Sequence, residues 1–269
     1  MSTYEHLDYR EERRTAVITF DRASKMNTLH GPAIDELDAA LERAESNEDL
    51  RAVVLTGNER AFSAGYDIND DSLNERDLSV ADWLELMESY THIRTIYELD
   101  LPVIAAVDGY ALAGGCNTAL VSDLTIATDR AKLGYPDVRM GGLPGTFVHP
   151  FVMGSLKHAR ELFYSGKMVS GQEAERFGMV NRSVPQEELM DEVWEEIKAI
   201  RKTPKPVVQI TKHMLNDVME AQGYRPGNKH VEHLASLTSL SEYGQQYYQI
   251  RDEEGFEAAL DWMHEENKP

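Results

Sequence analysis

Two apolar segments of this chain each run into a glycine turn and then into a stretch of small residues: AFSAGYDI (61–68) and PVIAAVDGYALAGGC (102–116). Each has the pattern of a β-strand that ends in a tight turn and opens a helix. Such a turn leaves backbone N–H groups unpaired beside a helix N-terminus, where negative charge is favoured. Two of these turns facing each other make a pair of donors for an oxygen that is gaining negative charge. With no more than the spacing to go on, the glycines also fit plain tight turns and close packing, and both readings stand at this point.

The rest of the chain sets these turns in an α/β frame. TAVITF (15–20) and RAVVLTG (51–57) are β-branched runs that end in turn or polar residues, so both read as strands. Between them, PAIDELDAALERA (32–44) puts Ile34, Leu37 and Leu41 on one helical face, with Pro32 in the first turn. A helix over roughly Val80 to Leu99 follows, then strand PVIAAV (102–107), a short helix after Gly115 and strand DLTIAT (123–128). This alternation predicts a mostly parallel sheet with helices on it. From Ser155 the pattern turns helical: Ser155 caps LKHARELFYSG, Ser170 and Glu173 form a capping box, and MVNRSV (179–184) reads as a last short strand. Three or four amphipathic helices then follow Pro185, with breaks near Pro204/Pro206, Gly223–Gly227 and Gly244. Trp194, Ile197 and Ile200, and later Leu234, Leu237 and Leu240, recur at helical spacing in this annex, which reads as a packing or subunit-contact element.

At 269 residues the chain suits one large domain, or a core with an appendage. Its 47 acidic residues against 10 Lys and 17 Arg leave a net charge of −20. Two readings of that acidity stand, adaptation to high salt and an ordinary acidic cytosolic protein. Either way the surface repels nucleic acid and anionic membranes. Cys116 is the single cysteine, which argues against a disulfide framework or a multi-thiol metal site. His230 and His233 are three apart on a predicted helix but have no evident third ligand, so no metal is expected. The N-terminal stretch lacks a signal-peptide pattern, and the apolar run Pro102–Val107 is too short to cross a bilayer. A cytoplasmic setting is the expectation.

Five stretches, taken together and in order, resemble the crotonase superfamily, the enoyl-CoA hydratase/isomerase family. They are DRASKMNTL (21–29), VVLTGNERAFSAGYDI (53–68), PVIAAVDGYALAGGC (102–116), LGYPDVRMGGLPG (133–145) and SGKMVSGQEAERFGMVNRSV (165–184). The resemblance implies an α/β fold, a crotonase-like spiral of repeated β-β-α turns with a C-terminal helical trimerisation region. On this chain that gives a core over 1–203 and a helical oligomerisation region over 204–269, assembled as a homotrimer or a dimer of trimers. It implies no permanently bound cofactor and a substrate carried as a coenzyme A thioester. The thioester oxygen would accept hydrogen bonds from the backbone N–H groups of Tyr66 and Gly114, and one such donor is typically worth roughly 3–4 kcal/mol. A Cβ at Gly114 is expected to crowd the incoming thioester. The coenzyme would run along Ser24, Lys25 and Met26 and along Ala64, Asp67, Ile68 and Asn69, with Lys25 meeting a phosphate.

The acid–base positions depart from the family's pattern. Its hydratases use two glutamates, and here those positions hold Asn117 and Asp137. An amide takes no proton near neutral pH but orients a water, and Asp is shorter than Glu by one methylene, about 1.5 Å. Hydration of a 2-enoyl-CoA with Asp137 as the lone acid/base and Asn117 positioning water is the leading expectation. A double-bond isomerase, a decarboxylase or hydrolase of acyl-CoA, and a non-catalytic acyl-CoA-binding protein remain as alternatives. Asp137 also fits an ion pair with Arg139, and Tyr135 and His149 fit ordinary packing at the border of the acyl pocket.

Overall fold

The computed structural model describes residues 4–67, 80–142, 148–239 and 241–266. The chain begins with a hairpin of β1 (Leu7–Glu12) and β2 (Thr15–Phe20), turned by Arg13 and Arg14 at φ 51° and 60°. A two-residue turn with both residues left-handed matches the twist of antiparallel strands. The sequence pattern does not predict β1, because only Leu7 in it is buried and its other residues are polar, as suits an edge strand. Helix α1 (Gly31–Ser46) follows, with Ile34, Leu37 and Leu41 buried as the spacing predicts.

From there the chain lays down pairs of strands. β3 (Ala52–Thr56) is followed by β4 (Ala61–Ser63), then by α2 (Val80–Glu88) and α3 (His92–Glu98). β5 (Val103–Val107) is followed by β6 (Tyr110–Leu112) and α4 (Gly114–Val121). β7 (Leu124–Thr128) is followed by β8 (Lys132–Gly134) and a single helical turn, Pro136–Met140. Then come α5 (His149–Val152), α6 (Leu156–Ser165), β9 (Met168–Ser170), α7 (Gly171–Phe177), β10 (Arg182–Val184) and α8 (Leu189–Ile200). β3, β5 and β7 join one sheet, in the order β1-β2-β3-β5-β7-β10, and β4, β6 and β8 join another, β4-β6-β8-β9. All neighbours are parallel except β1–β2 and β8–β9. This is the repeated β-β-α spiral.

The centre of the larger sheet is buried on both faces, so β2, β3, β5 and β7 are largely apolar rather than alternating. Val17, Val54, Ile104 and Ile126 face α8 through Leu189, Val193 and Ile197. Ile18, Val53, Leu55, Val103 and Ala105 face the main core, with α1, α3 and α4. The single helix predicted from Val80 to Leu99 is two helices, interrupted at Ser89–Thr91. Ser89 Oγ donates to the Leu86 carbonyl at 2.7 Å, and Thr91 Oγ1 donates to Asp38, so local side chains compete with the helical ladder there.

After Pro185 the described residues form five α-helices, not three or four: α8, packed on the larger sheet, and then α9 (Lys205–Ala221), α10 (Tyr224–Ser239), α11 (Glu242–Glu254) and α12 (Phe256–Glu266), which make up the C-terminal annex. The break expected at Gly244 lies earlier, because Ser241 caps α11 by accepting from Gly244 N–H at 3.1 Å, which puts Gly244 inside the helix. Gly227 likewise lies within α10. Lys212 ties α9 to the core: its buried Nζ donates to Asp123 Oδ2 at 2.8 Å and to the carbonyls of Ile96 and Leu101 at 3.1 and 3.2 Å. Lys212→Met is expected to cost about 3 kcal/mol, because it strands these acceptors and leaves the Asp123 charge without its partner. The urea midpoint should fall at an unchanged slope. A loss under about 1 kcal/mol, the worth of an exposed pair, would mean that α9 is held by other means.

Candidate active site

Two strand ends come together at the centre of the molecule. At the first, Gly65 has φ 95°, and the segment is pinned by Leu29 N–H to Gly65 O (2.8 Å) and Asp67 N–H to Leu29 O (2.7 Å). These bonds flank Tyr66 N–H and leave it out. At the second, Ala113 has φ 48° and ψ −119°, a conformation that costs a non-glycine residue on the order of 1–3 kcal/mol. Ala113 is held there by its N–H on Gly134 O (2.9 Å) and its carbonyl on Asn117 N–H (3.0 Å). Gly114 N–H, the first of α4, has no intrahelical acceptor, as at any helix start. Neither Tyr66 N–H nor Gly114 N–H has a partner among the described residues. The turns are close: a Cβ built on Gly65 would stand 3.1 Å from Gly114 N and 2.8 Å from Leu112 O.

The ring of Tyr66 also lies over Gly114. A Cβ there would stand 2.6 Å from Tyr66 Cε2. Glycine is therefore required at 114 first because the chain's own Tyr66 occupies that space. Behind it, Thr118 Oγ1 donates to Gly114 O (2.9 Å), which commits its proton, so His92 Nε2–H donates to Thr118 Oγ1 at 3.2 Å. His92 is fully buried, and burial lowers its pKa to about 3, so it stays neutral.

Asp137 stands on the turn Pro136–Met140, next to the end of β8. Its Oδ1 is buried and has no partner among the described residues. Burial raises its pKa from 3.8 to about 7, against a smaller lowering by a backbone hydrogen bond. Arg139 donates instead to Ser165 O at 2.9 Å, and no ion pair joins it to Asp137 among the described residues. Asp137 is near enough to help raise the phenol of Tyr66 well above its ordinary value, after burial and the neighbouring Tyr90. It acts on Tyr135 and Cys116 in the same way, with burial again the larger cause, and the buried Cys116 thiol is pushed up to about 12. Tyr243 Oη donates to Arg139 O at 3.1 Å, so α11 braces the Asp137 turn from the C-terminal annex.

Asn117, on the first turn of α4, is 1 % exposed. Its Oδ1 accepts from Tyr135 Oη at 2.8 Å, and Tyr135 Oη lies 2.5 Å from His149 Nε2. Tyrosine has one proton, and it goes to the amide oxygen, so His149 Nε2–H is the donor to Tyr135. Burial pushes His149 down to about 3, which keeps it neutral. With the amide oxygen on Tyr135, the chain His149 → Tyr135 → Asn117 points one way, and Nδ2, buried and unpartnered among the described residues, is the group left to the site. Tyr135 and His149 are thus a hydrogen-bonded relay and not simply packing. The site offers two backbone donors, one amide donor and one carboxyl that titrates near neutrality.

Residues 10–253 match the model of the Enoyl-CoA hydratase/isomerase family. The chain belongs to that family, within the crotonase superfamily. It is 34% identical over 229 residues to a probable enoyl-CoA hydratase of Rhizobium meliloti, covering 83% of this chain and 87% of that protein. It is 32% identical over 222 residues to a probable enoyl-CoA hydratase of Mycobacterium bovis, covering 81% and 84%. The crystal structure of an enoyl-CoA hydratase/isomerase from Xanthobacter autotrophicus Py2 superposes with a TM-score of 0.92 at 28% identity, over 99% of this chain and 100% of that one.

Of the stretches that the family resemblance assigns to the coenzyme, the structure brings two together. Ala64 N–H donates to Met26 O at 3.0 Å, and Ser24 and Lys25 are exposed beside Met26. Asp67 points inward: its Oδ2 accepts from Arg22 Nη2 (3.1 Å) and Thr28 Oγ1 (3.2 Å), clamping the two stretches to each other. Ile68 and Asn69 lie outside the described residues. His230 and His233 are exposed on α10, in the C-terminal annex. Nothing in the linear pattern points to Tyr90, which stacks on Tyr66, or to the strain at Ala113. A signal for Ala113 does exist, since it is the residue between a strand and two glycines.

Proposed function

We propose that this family member hydrates a 2-enoyl-CoA thioester reversibly, with one carboxylate taking a proton from water and returning it to the α-carbon. The observation that carries this is the meeting of two turns that each hold an unpartnered N–H, Tyr66 and Gly114, in a site that also holds Asp137, a carboxyl with one buried oxygen poised near neutral pH. In this reading the thioester oxygen sits between the two N–H groups. Asn117 Nδ2 donates to a water, and ionised Asp137 accepts a proton from it as its oxygen adds to the β-carbon. The electrons move to the thioester oxygen as an enolate, which the two N–H groups stabilise without reorganising. Asp137, now protonated, returns its proton to the α-carbon. A carboxyl of pKa about 7 suits both halves, since it accepts and gives a proton at nearly equal cost.

The experiment is turnover of crotonyl-CoA with mass analysis of the product. A gain of one water supports hydration. The hydration rate at low substrate should rise with pH through about 7, as Asp137 ionises. Product of unchanged mass from a 3-enoyl-CoA, with no water added, would establish the second reading, a double-bond isomerase. That reading is favoured by the absence of a second carboxylate at Asn117, since an isomerase needs only one proton carrier.

Self-association is part of the proposal, as a trimer or a pair of trimers over the 204–269 region. Val207, Ile210, Met214, Leu215 and Val218 on α9 are each at least half exposed in the single chain, a stripe that a second copy would cover. No helix among the described residues is long and apolar enough to cross a membrane. A cytoplasmic setting is also part of the proposal, supported by the lone cysteine.

A further inference from the structure

The ring of Tyr66 is held in a slot. On one side it stacks on Tyr90, with centroids 3.5 Å apart and planes within 7°, and the His92 ring meets it edge-on at 6.2 Å. Gly114 lies on the other side. A Cβ there would be 2.6, 2.8 and 2.9 Å from the adjacent ring carbons Cε2, Cζ and Cδ2. Near-equal distances to three neighbouring carbons mean an approach over the ring face, not along its edge. Both faces are therefore covered, one by an aromatic ring and one by the backbone of the α4 turn. To leave this slot the ring would have to give up both contacts, and aromatic rings bury a large area and carry specific stacking geometry.

The ring's position matters because its own backbone N–H is one of the two proposed donors. An acyl group whose carbonyl lies between Tyr66 N–H and Gly114 N–H begins its chain directly beside this ring. No ring face is left for stacking on a planar aromatic acyl group either. Resting on the acyl-CoA reading above, we propose that Tyr66, braced by Tyr90, closes the acyl pocket after the first few carbons and restricts the substrate to short aliphatic acyl thioesters.

The test measures binding without chemistry, by calorimetry with the saturated esters butyryl-, hexanoyl-, octanoyl- and decanoyl-CoA. A chain that enters an open apolar pocket gains about fourfold in affinity per methylene. The unaltered protein should show little or no gain from butyryl to decanoyl, the extra carbons staying in water. Tyr66→Ala should restore a gain of about fourfold for each methylene that enters the vacated space. Tyr90→Ala, which removes the brace and keeps the ring, should give a smaller gain, and it stands as the test by itself if Tyr66→Ala does not fold. The proposal is overturned if the unaltered protein already gains fourfold per methylene, or if neither variant steepens the dependence. A protein that binds none of these esters, butyryl-CoA included, withdraws the acyl-CoA function as a whole. Equal binding of all lengths by all three proteins withdraws only the role of Tyr66.

Discussion

Asparagine in place of Asp137 is expected to lower kcat for crotonyl-CoA hydration about a thousandfold, with KM changed only a few-fold. The substitution keeps shape and burial and removes the one side chain in the site that carries protons near neutral pH. The same change should stabilise the fold at alkaline pH. The folded-state pKa of Asp137, about 7, stands above its ordinary value of 3.8, so the unfolded chain releases this proton first as pH rises. Stability therefore falls between those two values and stays reduced above them. The replacing amide has no charge to bury, so Asp137→Asn should raise the urea midpoint at pH 8 and bring no such gain at pH 4. A variant that loses activity without this pH-dependent gain would show that the carboxyl is not buried as described. Activity within about tenfold of the parent would remove Asp137 from the chemistry altogether.

Alanine at Gly114 is expected to reduce kcat/KM by about a hundredfold, the scale of one lost oxyanion donor. The new methyl group would stand 2.6 Å from Tyr66 Cε2, and the ring cannot retreat because Tyr90 is stacked behind it. The strain falls instead on the α4 turn and swings Gly114 N–H away from Tyr66 N–H. This cause can be separated from crowding of the substrate by the same methyl. In a Tyr66→Ala background the clash is gone, so Gly114→Ala should then cost much less than in the parent. An undiminished loss in that background would mean that the methyl acts on the thioester directly, as the sequence pattern alone implies. Such a pair, in contact, is where additivity is expected to fail.

Much of the architecture is legible in local pattern. The face of α1, the strands over Thr15–Phe20 and Val103–Val107, and the capping box of Ser170 and Glu173 each depend on residues within a few positions of one another. The box has both of its bonds, Glu173 N–H to Ser170 Oγ (3.2 Å) and Ser170 N–H to Glu173 Oε2 (2.9 Å). The glycine turns are legible for the same reason, since a strand followed by small residues and a helix leaves few backbone paths. β1 is not, because an edge strand with one buried residue has no apolar period to detect. The stretch from Val80 to Leu99 reads as one unbroken helix because serine and threonine interrupt a helix only when their hydroxyls find acceptors, and Thr91 finds Asp38, 53 residues away.

The order of residues alone settles the family, the central strands of the larger sheet and the unusual acid–base set, Asn117 with Asp137, while the repeated strand pairs enter only through the family resemblance. How these groups behave is settled by packing. Burial moves Asp137 to about 7, and Tyr135, itself bonded to His149, holds the amide oxygen of Asn117. Packing also places Tyr90 against Tyr66, and Lys212 against Asp123, 89 positions apart. The reason is physical. Backbone paths and helix faces follow from neighbours along the chain, while a proton's energy and a ring's position depend on whatever the packed sheets bring alongside.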